Sequence, residues 1–137
     1  RYNNPDKDIT GLGKQFIIFN HDALEMYRSV FICEGALNAL TMGDRGIATM
    51  GKAISQYQVN ELLKSQCQRY IILLDPDARS YAVNLALKLV AYKKVKVVFL
   101  PEGFDVNDLG KKQTLKLVYQ TRYQSYQELI QIRNSLE

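Results

Sequence analysis

The stretch "YIILLDPDAR", Tyr70 to Arg79, joins an unbroken apolar run to two aspartates separated by a proline. Ile71, Ile72, Leu73 and Leu74 lack the alternation of a half-solvated strand. Such a run reads as a strand covered on both faces, as in a parallel sheet. Pro76 has no N–H to give to a ladder, so the strand is expected to stop near Asp75. Asp75 and Asp77 would then stand at the carboxyl edge of the sheet, where open α/β proteins place their ligands.

The chain on either side alternates. "SVFIC" (Ser29–Cys33) reads as a strand, Ala36–Met42 as a short helix and "GIATMG" as a brief strand between glycines. Ser55–Lys64 reads as a helix opened by a capping box of Ser55 and Gln58. After the Arg69–Leu74 strand, Ala78–Tyr92 reads as a helix with Tyr81, Leu85 and Leu89 on one stripe. "VKVVFL" (Val95–Leu100) is a further strand, closed by Pro101. Strands alternating with helices predict an α/β fold: a central, mostly parallel sheet of about four strands flanked by helices. Residues 1–28 read as a loop-rich lead-in with a strand-like "QFIIFN", and residues 29–110 as the core. Residues 111–137 read as a helical tail, interrupted near Tyr123, with a second capping box at Ser125 and Glu128. Its apolar stripe of Leu129, Ile132 and Leu136 is expected to pack on the core or dock to a missing neighbour.

With 137 residues, 47% of them hydrophobic and 23% charged, the chain has the size and composition of one ordinary globular domain. No apolar run approaches the roughly 20 residues that span a bilayer, and there is no signal-peptide pattern. Cys33 and Cys67 are too few for a zinc site or a disulfide framework, and fit a reducing cytosol. The net charge of +4 leans toward a polyanionic partner. Lys93, Lys94 and Lys96, and again Lys111, Lys112, Lys116 and Arg122, form clusters that also fit a solvated face. The first residue is Arg rather than Met, so the chain is expected to be a piece of a longer polypeptide.

Three strands run into acid. "SVFIC" leads into Glu34-Gly35, "YIILL" into Asp75-Pro76-Asp77, and "VKVVFL" into "PEGFDVND" with Glu102, Asp105 and Asp108. In a parallel sheet all these ends lie on one edge. Two carboxylates about 4 Å apart repel by roughly 4 kcal/mol at an effective dielectric of 20. Convergence therefore calls for shared protons or a bound cation. With no His or Cys among the donors, a hard cation such as Mg²⁺ or Mn²⁺ fits better than zinc. Each acid alone also reads as a turn or cap residue; the set of strand-ending acids points to metal.

"GIATMGKA" matches a phosphate-binding loop up to Lys52, but Ala53 stands where that loop needs a Ser or Thr hydroxyl. The loop should also follow a strand directly, whereas "LNALTMGDR" before Gly46 reads as helix and turn. A P-loop triphosphatase is thus a rival, but the weakest. His21 reads as a surface or cap residue rather than a catalyst.

Together, "FICEGALNAL", "GIATMGKA", "LLDPDA" and "LPEGFDVND" resemble, in order, the signature of a Toprim domain, over roughly residues 16–110. This is the catalytic fold shared by primases, type IA and type II topoisomerases and some nucleases. The second and last segments resemble its primase branch, and "RYNNPDKDITGLGKQFIIFN" resembles the lead-in of phage-type primases. The resemblance implies that Glu34 acts near the reacting phosphate, as general base or as a further ligand. It implies that Asp75 and Asp77 hold Mg²⁺ or Mn²⁺, with Asp105 and Asp108 as further metal residues in the accessory acidic position. Lys52 either contacts a phosphate or is a solvated loop lysine. Two departures stand out: Asn38 replaces an outer aspartate of the family, and "DARSYA" replaces its glycine and Ala-Gly pair beyond the second aspartate.

By this resemblance the chain is the catalytic part of a DNA primase that makes RNA primers. Its partners would be a single-stranded DNA template, nucleoside triphosphates and a replicative helicase domain, in the cytoplasm. A Toprim nuclease and a non-catalytic binding module are the alternatives. Intact Glu34, Asp75 and Asp77 weigh against the module.

Overall fold

The computed structural model describes residues 13–137, apart from the side chain of Lys14; the first, loop-rich part of the lead-in lies outside them. Four strands form one sheet in the order β2-β1-β3-β4: β1 (Ser29–Cys33), β2 (Gly46–Ala48), β3 (Arg69–Ile72) and β4 (Lys94–Val97). Every pairing is parallel, with Ile32 opposite both Ile47 and Ile72, and Ile72 opposite Val97. The fold is Toprim-like α/β.

Both sheet faces are covered, which is why the strands read as continuous apolar runs. Val30, Ile32, Tyr70, Ile72, Val95 and Val97 pack on one side. Their neighbours there come from α3 (Gln56–Lys64), α4 (Arg79–Leu89) and α6 (Tyr126–Ser135). Cys33, Ala48, Ile71, Leu73 and Val98 face the other side, with α2 (Ala36–Met42) and α5 (Val106–Gln120). A short α1 (Ala23–Met26) buries Leu24 in the first layer. A Cβ at Gly46 would sit 2.1 Å from the Ala39 carbonyl oxygen, so glycine is what lets β2 lie against α2.

Several boundaries differ from the sequence reading. β3 ends at Ile72, opposite Val97 at the end of β4, while β1 runs one residue further to Cys33. The last ladder bonds run from Leu73 N–H to Ile32 O (2.8 Å) and from Val98 N–H to Ile72 O (3.0 Å), and Leu74 stays buried without a strand partner. β4 likewise stops at Val97. "QFIIFN" is not a sheet strand. Lys14–Phe16 is a 3₁₀ turn, and Phe19 makes a single antiparallel bridge to Ala48. Asn20, at φ 60°, turns the chain away immediately afterwards. A 3₁₀ turn over Pro76–Ala78 precedes α4, whose buried stripe is Ala82, Val83, Leu85, Ala86 and Leu89. Tyr81, expected on that stripe, is 43% exposed.

Helix α5 starts before Lys111. Asp105 caps a first turn from Val106, and Gly110 at φ 81° kinks the helix just ahead of Lys111. The interruption near Tyr123 separates α5 from α6, and the Ser125–Glu128 capping box is formed. Leu129 is fully buried against the core, while Leu136 is partly exposed. Lys96 is buried on the α5 side, donating to Val118 O (2.7 Å) and Thr121 O (2.9 Å) at the helix's carboxyl end, with the Tyr123 ring 4.8 Å away. Burial lowers its pKa, and the helix carbonyls offset part of that cost. At the amino edge of the sheet, Lys64, Arg69, Lys93 and Lys94 line one open cavity.

Candidate active site

Glu34 leaves the end of β1, and its backbone is fixed by the loop after β2. Its carbonyl accepts from Met50 N–H (2.8 Å) and Gly51 N–H (3.2 Å). Met50 adopts φ 66°, an uncommon conformation for a side chain of that size, held by its surroundings. Thr49 Oγ1 donates to Gly51 O (2.8 Å), and buried Gln58 donates to Thr49 O (2.8 Å) and Ile17 O (2.7 Å). The glycine-flanked segment thus serves as a brace around Glu34. Gly46–Ala48 within it is strand, not phosphate-binding loop. The brace delivers Lys52, whose Nζ lies 3.3 Å from Asp77 Oδ2.

Asp75 leaves the end of β3, next to β1 in the sheet. It precedes the 3₁₀ turn, but its carboxylate caps nothing; only its backbone carbonyl takes the Ala78 N–H (2.8 Å). The side chain is left to face Glu34. Glu34, Asp75 and Asp77 each offer an oxygen, and these oxygens lie within 4.8 Å of one another. Asp77 is the exposed member, and the other two are half-buried.

Such crowding shifts proton affinities. Burial first, then the charges of Asp75 and Asp77, push the Glu34 carboxyl above its ordinary value, with Lys52 opposing. Burial likewise raises Asp75, followed by the charges of Asp105, Asp77 and Asp108, again against Lys52. Lys52 is raised, chiefly by its hydrogen bond to Asp77. Cys33, buried one residue before Glu34, is pushed up to about 12 and stays a neutral thiol that fills space rather than reacts.

Glu34 Oε1 is buried with no hydrogen-bond partner. An orphaned buried acceptor is costly (about 1–3 kcal/mol), so this oxygen calls for a proton or a cation. Three carboxylates and no nitrogen or sulfur donor make an all-oxygen set suited to a hard divalent cation. The residues fit such an ion.

The acids of the last strand lie otherwise. Asp105 and Asp108 close a reciprocal capping box on α5, with Asp105 Oδ1 accepting from Asp108 N–H (2.7 Å) and Asp108 Oδ2 from Asp105 N–H (3.0 Å). Neither belongs to the close group of three, yet both charges act on Asp75. Glu102 pairs with Arg79 (3.1 Å), which also donates to Leu100 O (2.7 Å) and stacks over Phe99. Arg79 thereby ties the loop after β4 to the start of α4. His21 bonds Glu61 (2.8 Å), away from these acids, and Lys64 also pairs with Glu61 (2.7 Å). Both cysteines are free and buried.

Two contributors escape a reading of charge patterns, Arg79 and Asn38. Asn38 donates from Nδ2 to Asp75 Oδ1 (3.4 Å) and accepts at Oδ1 from Asn107 N–H (3.0 Å). The available signal for Asn38 was the resemblance, which has an outer aspartate at that position.

The fold is that of a Toprim-like α/β domain. No family model matches the chain. It is 26% identical to the DNA primase of Lactococcus lactis over 75% of its length, and 29% identical to that of Aquifex aeolicus over 85%. It spans only 17% and 26% of those two proteins. The catalytic core of Escherichia coli primase shares its fold, with a TM-score of 0.67 and 18% identity over 90% of this chain and 44% of that one. Sequence and fold agree on one resemblance, to the Toprim domain of bacterial DNA primases. No helix among the described residues is long and apolar enough to cross a membrane.

Proposed function

We propose that this chain is the catalytic part of a DNA primase, joining ribonucleotides on a single-stranded DNA template. The observation that carries the reading is the convergence of Glu34, Asp75 and Asp77 from two adjacent strand ends, with one Glu34 oxygen buried and unpartnered. In the reaction a 3′-hydroxyl oxygen attacks the α-phosphorus of a nucleoside triphosphate in line, and the bond to the leaving pyrophosphate breaks. Mg²⁺ or Mn²⁺ held by Glu34, Asp75 and Asp77 would supply charge neutralisation at the reacting phosphate. Glu34, raised in pKa and half-buried, takes the hydroxyl proton or completes the ligand set. Lys52, exposed and paired to Asp77, can exchange that carboxylate for a phosphate oxygen. Asp105 and Asp108 add negative potential from the cap of α5.

In this reading residues 1–28 lead in from an upstream domain, 29–110 are the catalytic core and 111–137 a helical extension. Template gripping falls to a basic domain before residue 1, with a replicative helicase as working partner, in the cytoplasm. The chain alone is then expected to bind template weakly. With a template-binding domain supplied upstream, Glu34→Gln should lower dinucleotide synthesis by about a hundred- to a thousandfold. DNA binding should hold, because it rests on Lys and Arg contacts to phosphate. Synthesis at the parent rate by the variant would overturn the role of Glu34. Divalent-dependent cutting of DNA with no polymerisation would replace the primase reading by a nuclease.

A further inference from the structure

We propose that Asn38 is a positioning residue, holding the Asp75 carboxylate against the first turn of α5. The proposal deepens the reading of Asp75 as a cation ligand. Asn38 is 6% exposed, on α2. The Asn107 N–H belongs to the first turn of α5, where backbone donors lack partners within the helix. That donor must meet an acceptor, which fixes the Asn38 amide with Oδ1 toward Asn107 (3.0 Å) and Nδ2 toward Asp75 (3.4 Å). Thr41 Oγ1, one turn further along α2, meets the Asn107 side chain at 3.2 Å.

Only a side chain with both a donor and an acceptor makes these two bonds. Aspartate at this position would keep the bond from Asn107 but turn a donor into a repelling charge beside Asp75. Alanine would make neither. The amide therefore orients Asp75 without adding charge to a place already under the charges of Asp77, Asp105 and Asp108. It also links the ligand to α5, so that the helix start and the carboxylate hold their positions together.

A double-mutant cycle on the 137-residue chain, read by thermal unfolding with and without Mn²⁺, tests this. Asn38→Asp should lower the metal-free Tm by about 3–6 °C. The exchanged pair, Asn38→Asp with Asp75→Asn, should recover at least half of that loss, because the amide now placed after β3 donates to the carboxylate now placed on α2. Mn²⁺ should raise the Tm of Asn38→Asp by more than that of the parent, and leave both variants carrying Asp75→Asn unmoved. Equal losses from Asn38→Asp in the parent and in the Asp75→Asn background would overturn the proposal, leaving Asn38 a packing link to α5 alone. Should Asn38→Asp not fold, folding of the exchanged pair is the expected rescue, and failure of both overturns the proposal. Recovery in the exchanged pair with an equal Mn²⁺ shift in all four chains would uphold the positioning role while removing Asp75 from the cation.

Discussion

Glu34 and Asp75 stand at the ends of neighbouring strands, and burial, with the charges of nearby aspartates, makes both hold their protons to higher pH in the fold than in the unfolded chain. A carboxyl with a raised folded pKa favours the folded state below its unfolded value, and that contribution is lost as pH rises through the folded value. The metal-free protein should therefore carry its heaviest site penalty near neutral pH. Asp75→Asn should raise metal-free stability there, and the advantage should vanish on the acid side of the carboxylate range; denaturant titrations at a series of pH values check this. A variant less stable than its parent at neutral pH would mean that repulsion is not what dominates around Asp75. The pairing of Glu34 with Asp75 was legible in the chain, because each acid ends an apolar run and parallel strands bring such ends to one edge. The part played by Asn38 was not, since a neutral amide becomes a positioning group only once α5 arrives beside it from far along the chain.

At the scale of the element, the cap on α5 puts two jobs on one residue. Asp105 closes the helix start and also adds negative potential at Asp75. Serine can cap but carries no charge. Asp105→Ser should hold helix stability within a few tenths of a kcal/mol, whereas Asp105→Ala should cost about 1 kcal/mol. In urea unfolding the two variants should separate by that margin, while both lose the electrostatic contribution to divalent binding, measured by calorimetry. Equal unfolding midpoints would show that the cap bond is not what holds the turn. Helices whose ends carry Ser-x-x-Gln or Ser-x-x-Glu were legible to the residue, because the cap chemistry is local. Strand ends were not: β3 and β4 stop together, opposite one another, a condition set across the sheet, and apolar residues run on beyond them.

Across the whole molecule, the tail closes the first core layer instead of hanging from it. Leu129 reaches the layer that holds Leu85, Leu89 and Val97. Leu129→Ala should cost about 2–5 kcal/mol, the range for emptying a buried leucine site, measured by chemical unfolding. A cost below about 0.5 kcal/mol, the level of an ordinary surface change, would make α6 a loosely held extension. The apolar stripe of the tail was visible in the sequence, but its destination depended on where α4 and β4 come to lie in the fold.

The parallel sheet also separates charge along its own axis, with Glu34 and Asp75 beyond the carboxyl ends and Lys64, Arg69, Lys93 and Lys94 about the amino ends. Among these residues, charge of opposite sign is separated along the strands. A polyanion nearby exerts a torque that turns the cationic end toward it and the acidic end away. Under the proposed function, long-range attraction then turns the acidic site away from the template, and the torque weakens as salt shortens the screening length to about 8 Å. Neutralising the acids with a divalent cation shrinks the dipole moment itself, so an ion seated at the strand ends would change which side of the domain a nucleic acid meets first.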